Sequence, residues 1–238
     1  MTELRVVLCD LDDTLFDHHG TTRIALDVVR GVDASLGSWT LDELDARHRV
    51  LLEALHVEVL AGTLSIEEAR LTRFSQLLAD AECSDVSSRA PAVARCYREA
   101  YERAWRAVPG AIDVLRLLKA AGLPVIVVTN NNVAEQQLKI ARVGLQEYID
   151  GLITSEETGS CKPDRAIFAC ALERAGVQPA EAVMFGDAWA TDIEGALGAG
   201  IRPVWLNRFG QTSRNPAVAE VTSLVPAAAT VEVLRRGV

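Results

Sequence analysis

Short apolar runs punctuate the chain at residues 4–9 (LRVVLC), 124–129 (PVIVVT), 151–154 (GLIT), 182–186 (AVMFG) and 202–206 (RPVWL). They are continuous rather than alternating, and most are rich in β-branched residues. Strands buried on both faces, as in a parallel sheet, read this way. Between them the apolar positions recur with helical spacing. IDVLRLLKAAG, AEQQLKIARVG and DRAIFACALERAG run up to Gly122, Gly144 and Gly176, which suit helix C-caps. Strand and helix alternate from about residue 107 onward. That alternation predicts an α/β fold on a doubly wound parallel sheet.

Residues 17–105 have another texture, with no strand pattern and about four helices. TTRIALDVVRGVDASLG is one. WTLDELDARHRVLLEALHVEVLAG opens with the capping box Thr40-x-x-Glu43, and SIEEARLTRFSQLLADA with Ser65-x-x-Glu68. APAVARCYREAYERAWRAV is the fourth, with Pro91 expected near its start. The expected organisation is a core of residues 1–16 and 106–238, interrupted by a helical cap of residues 17–105. Ligands of open α/β sheets sit at the carboxyl ends of the strands. The insert leaves from one of those ends, so it is expected to cover the site as a lid.

The 33 acidic and 24 basic residues give a formal charge of -9, which argues against a nucleic-acid or membrane-surface binder. A small anionic substrate remains compatible, because a metal and one local cation outweigh distant charge. The five cysteines show no CxxC pairing, so reduced thiols and a cytoplasmic setting are expected. No apolar run approaches the ~18 residues a spanning helix needs.

Chemistry concentrates at four strand ends. The first carries Asp10, Asp12, Asp13 and Thr14; the second Thr129, Asn130, Asn131 and Asn132; the third leads to Lys162-Pro163; the fourth gives GDAWATD, with Asp187 and Asp192. Crowded carboxylates repel unless something positive is shared among them. Taken in order, DLDDT, VVTNN, KP and GDAWATD resemble the motifs of the haloacid dehalogenase superfamily, in the branch whose helical cap follows the first motif.

The resemblance implies a Rossmann-like core and a Mg²⁺-dependent phosphomonoesterase acting on a small cytosolic phosphate ester. Asp10 would be the nucleophile and Asp12 the general acid and base. Thr129 and the Asn130 amide would bind phosphoryl oxygens, with Lys162 neutralising their charge. Mg²⁺ would be held by the Asp10 and Asp187 carboxylates and, as the family implies, the Asp12 carbonyl; Asp192 would work one shell out. The last motif departs from close relatives at Ala188 and Thr191, where serine and asparagine are common. Asp13 and Asp17 read as solvated loop acids, His48 and His56 as ordinary helix residues, and Trp189 and Trp205 as packing near the rim.

Other chemistries are tested by single residues. The family's dehalogenases lack an acid at the position of Asp12. A phosphonate hydrolase needs a cap lysine, and residues 17–105 contain none. A sugar phosphomutase on the same core and a catalytically retired binding protein stay open as alternatives. The substrate is read as a nucleoside monophosphate, a sugar phosphate or a flavin-type phosphate, and the assembly as monomer or homodimer.

Overall fold

The structure is a computed structural model that describes residues 3–236. It divides into two compact units. One joins the chain up to Asp17 with everything from Arg106 onward, and the other is His18–Trp105.

The first unit is built on a six-stranded, fully parallel sheet in the order β3-β2-β1-β4-β5-β6. The strands are β1 (Val6–Cys9), β2 (Val125–Thr129), β3 (Gly151–Thr154), β4 (Ala182–Gly186), β5 (Arg202–Leu206) and β6 (Ala219–Val221). Every residue of β1, β2 and β4 is buried, which is why these strands read as unbroken apolar runs. On one face Val6, Leu8, Ile126, Val128 and Met184 pack against Ile167, Phe168 and Ala171. After β1 the chain adds β2 and then β3 on one side, and crosses back to place β4 on the other. The order therefore reverses between β1 and β4, the point where open α/β sheets bind ligands.

The second unit holds four helices: α1 (His18–Val32), α2 (Leu41–Leu60), α3 (Ile66–Asp80) and α4 (Val86–Arg103). Both expected capping boxes form, with Thr40 and Ser65 bonded reciprocally to Glu43 and Glu68. Helix α4 starts earlier than the sequence reading placed it, so Pro91 lies inside the helix. The proline removes the bond that an N–H at this position would make to the Ser87 carbonyl and sets its ring against that carbonyl, within the opening turns. Among the described residues no helix is long and apolar enough to cross a membrane.

The first unit continues with α5 (Ala111–Ala120), α6 (Val133–Arg142), the single turn α7 (Ser155–Thr158), α8 (Arg165–Ala175), α9 (Glu194–Gly198) and α10 (Ala227–Arg235). Helix α10 packs beside α5. Neither β6 nor α10 was anticipated from the sequence. Where the insert leaves and returns, Asp17 N–H donates to the Arg106 carbonyl at 3.0 Å. The Asp17 carboxylate pairs with Arg106 at 2.7 Å and Arg208 at 2.9 Å. Asp17 is thus a buried tie between two arginines, which corrects its reading as a solvated acid. Burial works against its charge, but the two guanidinium groups outweigh it and hold the carboxyl below its ordinary range.

Gly110 precedes α5 with φ +89°, and a Cβ there would lie 2.5 Å from the Leu224 carbonyl oxygen. Gly122 also has positive φ, +71°, but a Cβ there meets nothing within 4 Å. Strained backbone alone costs of order 1–3 kcal/mol. Gly110→Ala is therefore expected to lower the unfolding free energy clearly more than Gly122→Ala, measured by urea denaturation. Equal losses would contradict the close approach to Leu224.

Candidate active site

Strands β1 and β4 pair in register up to Cys9 and Phe185, so Asp10 and Asp187 leave the sheet at nearly the same level. Asp10 N–H extends the ladder by donating to the Phe185 carbonyl at 2.9 Å. One carboxylate oxygen each from Asp10, Asp187 and Asp192 lie within 4.8 Å of one another. Lys162 sits among them, its Nζ 2.6 Å from Asp10 Oδ1 and 2.7 Å from Asp192 Oδ1. The lysine is 3% exposed and Asp192 fully buried.

The last motif owes its shape to Gly186 and to one π-helical turn, Trp189–Ile193. A Cβ on Gly186 would stand 2.3 Å from Asp192 Oδ2, so only glycine lets that carboxylate reach Lys162. Ala188 contributes through its backbone, donating its N–H to Asp192 Oδ2 at 3.0 Å. That bond needs no side chain, so the departure from serine leaves it intact. Thr14 Oγ1 donates to Asp187 Oδ1 at 3.1 Å, and Trp205 Nε1 donates to the Asp187 carbonyl at 2.8 Å. Trp189 meets Trp205 edge to face, with ring centroids 4.9 Å apart.

The second and third motifs are clamped together. Asn130 Nδ2 donates to the Lys162 carbonyl at 2.8 Å, and Lys162 N–H returns a bond to Asn130 Oδ1 at 2.7 Å. The Asn130 side chain thereby fixes the backbone that aims Lys162. Thr129 ends β2 and is buried.

The Asp12 carboxylate is directed elsewhere. Lys139 Nζ donates to its Oδ1 at 2.7 Å, and Gln136 Nε2 donates to its Oδ2 at 2.9 Å. Gln136 Nε2 also lies 2.7 Å from Thr129 Oγ1. Both partners are on α6 and nearly fully buried, and the sequence reading missed them. Their signal is visible afterwards: positions 136 and 139 are polar yet share one face of the helix with the core residue Ile140.

Burial dominates the electrostatics. It raises the Asp10 carboxyl to about 7, helped by Asp192 and Asp12 and opposed by Lys162. Burial, with Asp10 and Asp192 beside it, also raises Asp187 well above the usual carboxylate range. For Lys162 burial works against the charge, but Asp10 and Asp192 outweigh it and raise its pKa. Three carboxylates thus cluster where one ammonium pairs with two of them, and an added cation would relieve the imbalance. The donor set is all oxygen, which fits a hard ion such as Mg²⁺. Asp10, Asp187 and Asp192 could hold it. The Asp12 carboxylate faces Gln136 and Lys139 on α6 instead.

His48 and His56, read from the sequence as ordinary helix residues, belong to the helical unit, and so does His18. Its Nδ1 lies 2.7 Å from the Tyr101 hydroxyl. The five cysteines are all free, and burial raises the Cys9 thiol.

The model of the haloacid dehalogenase-like hydrolases matches residues 4–200. The chain is 39% identical over 101 residues to the pyrimidine 5'-nucleotidase YjjG of Escherichia coli, a match covering 42% of this chain and 44% of that one. It thus spans less than half of that relative's length. A longer match, 31% identical over 229 residues, joins it to the phosphoserine phosphatase of Thermus thermophilus, covering 86% and 89% of the two chains. Among solved structures, the magnesium-bound HAD-hydrolase YfnB of Bacillus subtilis superposes with a TM-score of 0.74 at 23% identity, covering 97% and 99%. That likeness carries the fold alone. The family model and the phosphoserine phosphatase carry more: this chain belongs to the haloacid dehalogenase-like hydrolases.

Proposed function

We propose that the protein is a Mg²⁺-dependent phosphomonoesterase working through an aspartyl-phosphate on Asp10. The observation that carries this reading is the cluster of Asp10, Asp187 and Asp192 carboxylates, two of which, Asp10 and Asp192, are bonded to the buried Lys162. Relatives named as a pyrimidine nucleotidase, a phosphoserine phosphatase and a glyceraldehyde 3-phosphate phosphatase support the phosphohydrolase class. Their variety supports a small phosphorylated metabolite without selecting one.

Asp10 attacks phosphorus, the bond to the ester oxygen breaks, and Asp12 delivers a proton to the departing alcohol. Water then attacks the acyl phosphate, gives its proton to Asp12, and frees phosphate and Asp10. Lys162 neutralises charge on the phosphoryl oxygens throughout. Gln136 donates to the oxygen of Thr129, which leaves the threonine hydroxyl proton to reach a phosphoryl oxygen. The Asn130 N–H supplies a second donor. Bound Mg²⁺ supplies positive charge that lets an anionic nucleophile approach an anionic ester. Asp10 and Asp187 would hold it, with the Asp12 carbonyl as the family resemblance implies, and Asp192 steadies Lys162. For Asp12 to reach the leaving group, its carboxyl must turn away from Lys139 and Gln136.

The direct test is phosphate release from a panel of phosphorylated metabolites, with Mg²⁺ or with EDTA. Activity is expected with Mg²⁺ and lost in EDTA; no release from any ester under either condition would contradict the reading. Asp12→Ala is expected to slow an alkyl phosphate about 10²-fold or more, and p-nitrophenyl phosphate far less, because a nitrophenolate leaves without a proton. Equal losses would make Asp12 structural.

A second expectation needs no turnover. The folded Asp10 carboxyl is protonated below about 7, and protons compete with a cation for the same oxygens. The rise in melting temperature caused by Mg²⁺ should therefore grow as pH increases through about 7. A rise independent of pH would place the ion elsewhere.

A further inference from the structure

The turn that follows β1 sits in a conformation its own residues disfavour. Asp13 has φ 62°, and among the described residues, glycines aside, only Glu82 shares a positive φ. The left-handed region costs any residue with a side chain, although aspartate tolerates it better than most. The turn closes through Asp13 N–H, which donates to the Phe16 carbonyl at 2.7 Å. The Leu11 carbonyl accepts from Leu15 N–H at 2.9 Å and Phe16 N–H at 2.8 Å. On one side of the strained residue stands Asp12, the proposed acid. On the other stands Thr14, whose hydroxyl donates to Asp187. Backbone strain persists at such a place only where the surroundings over-determine it.

The surroundings include one cation from far along the chain. Arg208 lies two residues beyond β5, at the same end of the sheet as Asp10 and Asp187. Its Nη1 donates to the Asp13 carbonyl at 3.0 Å, and its Nη2 donates to Asp17 Oδ1 at 2.9 Å. The Arg208 side chain is 17% exposed, so little water competes for these donors. The second anchor is firm, because Asp17 is itself bonded to Arg106. A guanidinium fork spanning two acceptors fixes one relative to the other, which a single ammonium does not. A hydrogen bond from a charged donor is worth at least what one left-handed residue costs. The bond is strong enough to decide the conformation.

We propose that Arg208 is a positioning residue: it holds Asp13 in the left-handed region and so sets the peptide groups that aim Asp12 and Thr14. Arg208 acts through this turn and not on substrate. Without it, Asp13 relaxes towards negative φ, and both neighbours rotate with it. The consequence for turnover rests on the phosphatase reading; the hold on the turn does not.

The test uses the whole protein carrying Arg208→Met, alone and together with Asp13→Gly. Glycine enters positive φ without steric cost, so it should replace what the arginine supplies. Amide hydrogen exchange followed by NMR reads the turn directly. Protection of the amides at positions 13 and 16 is expected to fall at least about tenfold in Arg208→Met. Strands β1 and β4 should change little, and the added Asp13→Gly should restore part of the lost protection. Should Arg208→Met fail to fold, Arg208→Lys keeps the charge without the fork and is expected to show the same pattern with a smaller loss. Unchanged protection in the folded variant, or a loss that Asp13→Gly does not reduce, would overturn the proposal.

Kinetics carry the result to turnover, on whichever ester the wild type cleaves fastest. Arg208→Met is expected to lower kcat about tenfold with a much smaller change in KM. Asp13→Gly should recover part of that kcat, and should give no such gain where Arg208 is intact. A role confined to stability would lower the melting temperature and leave kcat of the folded enzyme alone, which would overturn the positioning role. If the wild type cleaves no ester, the phosphatase reading fails while hydrogen exchange still decides the hold on the turn.

Discussion

One buried ammonium organises the rim of the sheet. Lys162 is bonded to Asp10 and Asp192 at once, and each of those charges has left water to be there. Removing an ion from water costs several kcal/mol even after relaxation, and pairing repays this only when geometry and hydrogen bonding are good. The surroundings meet that condition: Asn130 fixes the lysine backbone, Ala188 N–H satisfies Asp192, and Thr14 satisfies Asp187. The arrangement is still short of positive charge, since three carboxylates cluster where one lysine is bonded to two of them. A group selected for stability alone would not be built this way. It makes sense as a receiver for a cation and an anionic ester.

The fold supplies the proximity at little local cost. Because β1 and β4 are neighbours at the reversal of strand order, residues far apart in sequence emerge side by side. Gly186 then opens the gap that Asp192 fills. Trp205, one strand further out, ties the Asp187 carbonyl and packs on Trp189. Each of these supports is a hydrogen bond or a contact made by a rigid element, which holds catalytic groups more firmly than a free loop does.

The central strands and the acidic motifs were legible in the sequence for physical reasons. Strands covered on both faces cannot hide their composition, and carboxylates clustered at strand ends stand out against them. The capping boxes at Thr40 and Ser65 were equally plain, being local in sequence. What stayed hidden was either short or non-local. Strand β6 has three residues and is only partly buried, and α10 opens on alanines that give no strong periodic stripe. The bonds from Gln136 and Lys139 to Asp12 span more than a hundred residues, so helical spacing alone exposes the pair without naming its partner. Arg73 and His48 were hidden differently: each looks like an ordinary helix residue in the sequence, yet both are buried.

The central claim is that the carboxylate Lys162 grips is a nucleophile. It is tested most directly by acid-quenching the enzyme during turnover, reducing with borohydride, and sequencing the peptides by mass spectrometry. An acyl phosphate on Asp10 is reduced to homoserine, so the account predicts homoserine at position 10 and at no other aspartate. Sustained turnover with position 10 unmodified, or homoserine at position 12 or 187 instead, would contradict it.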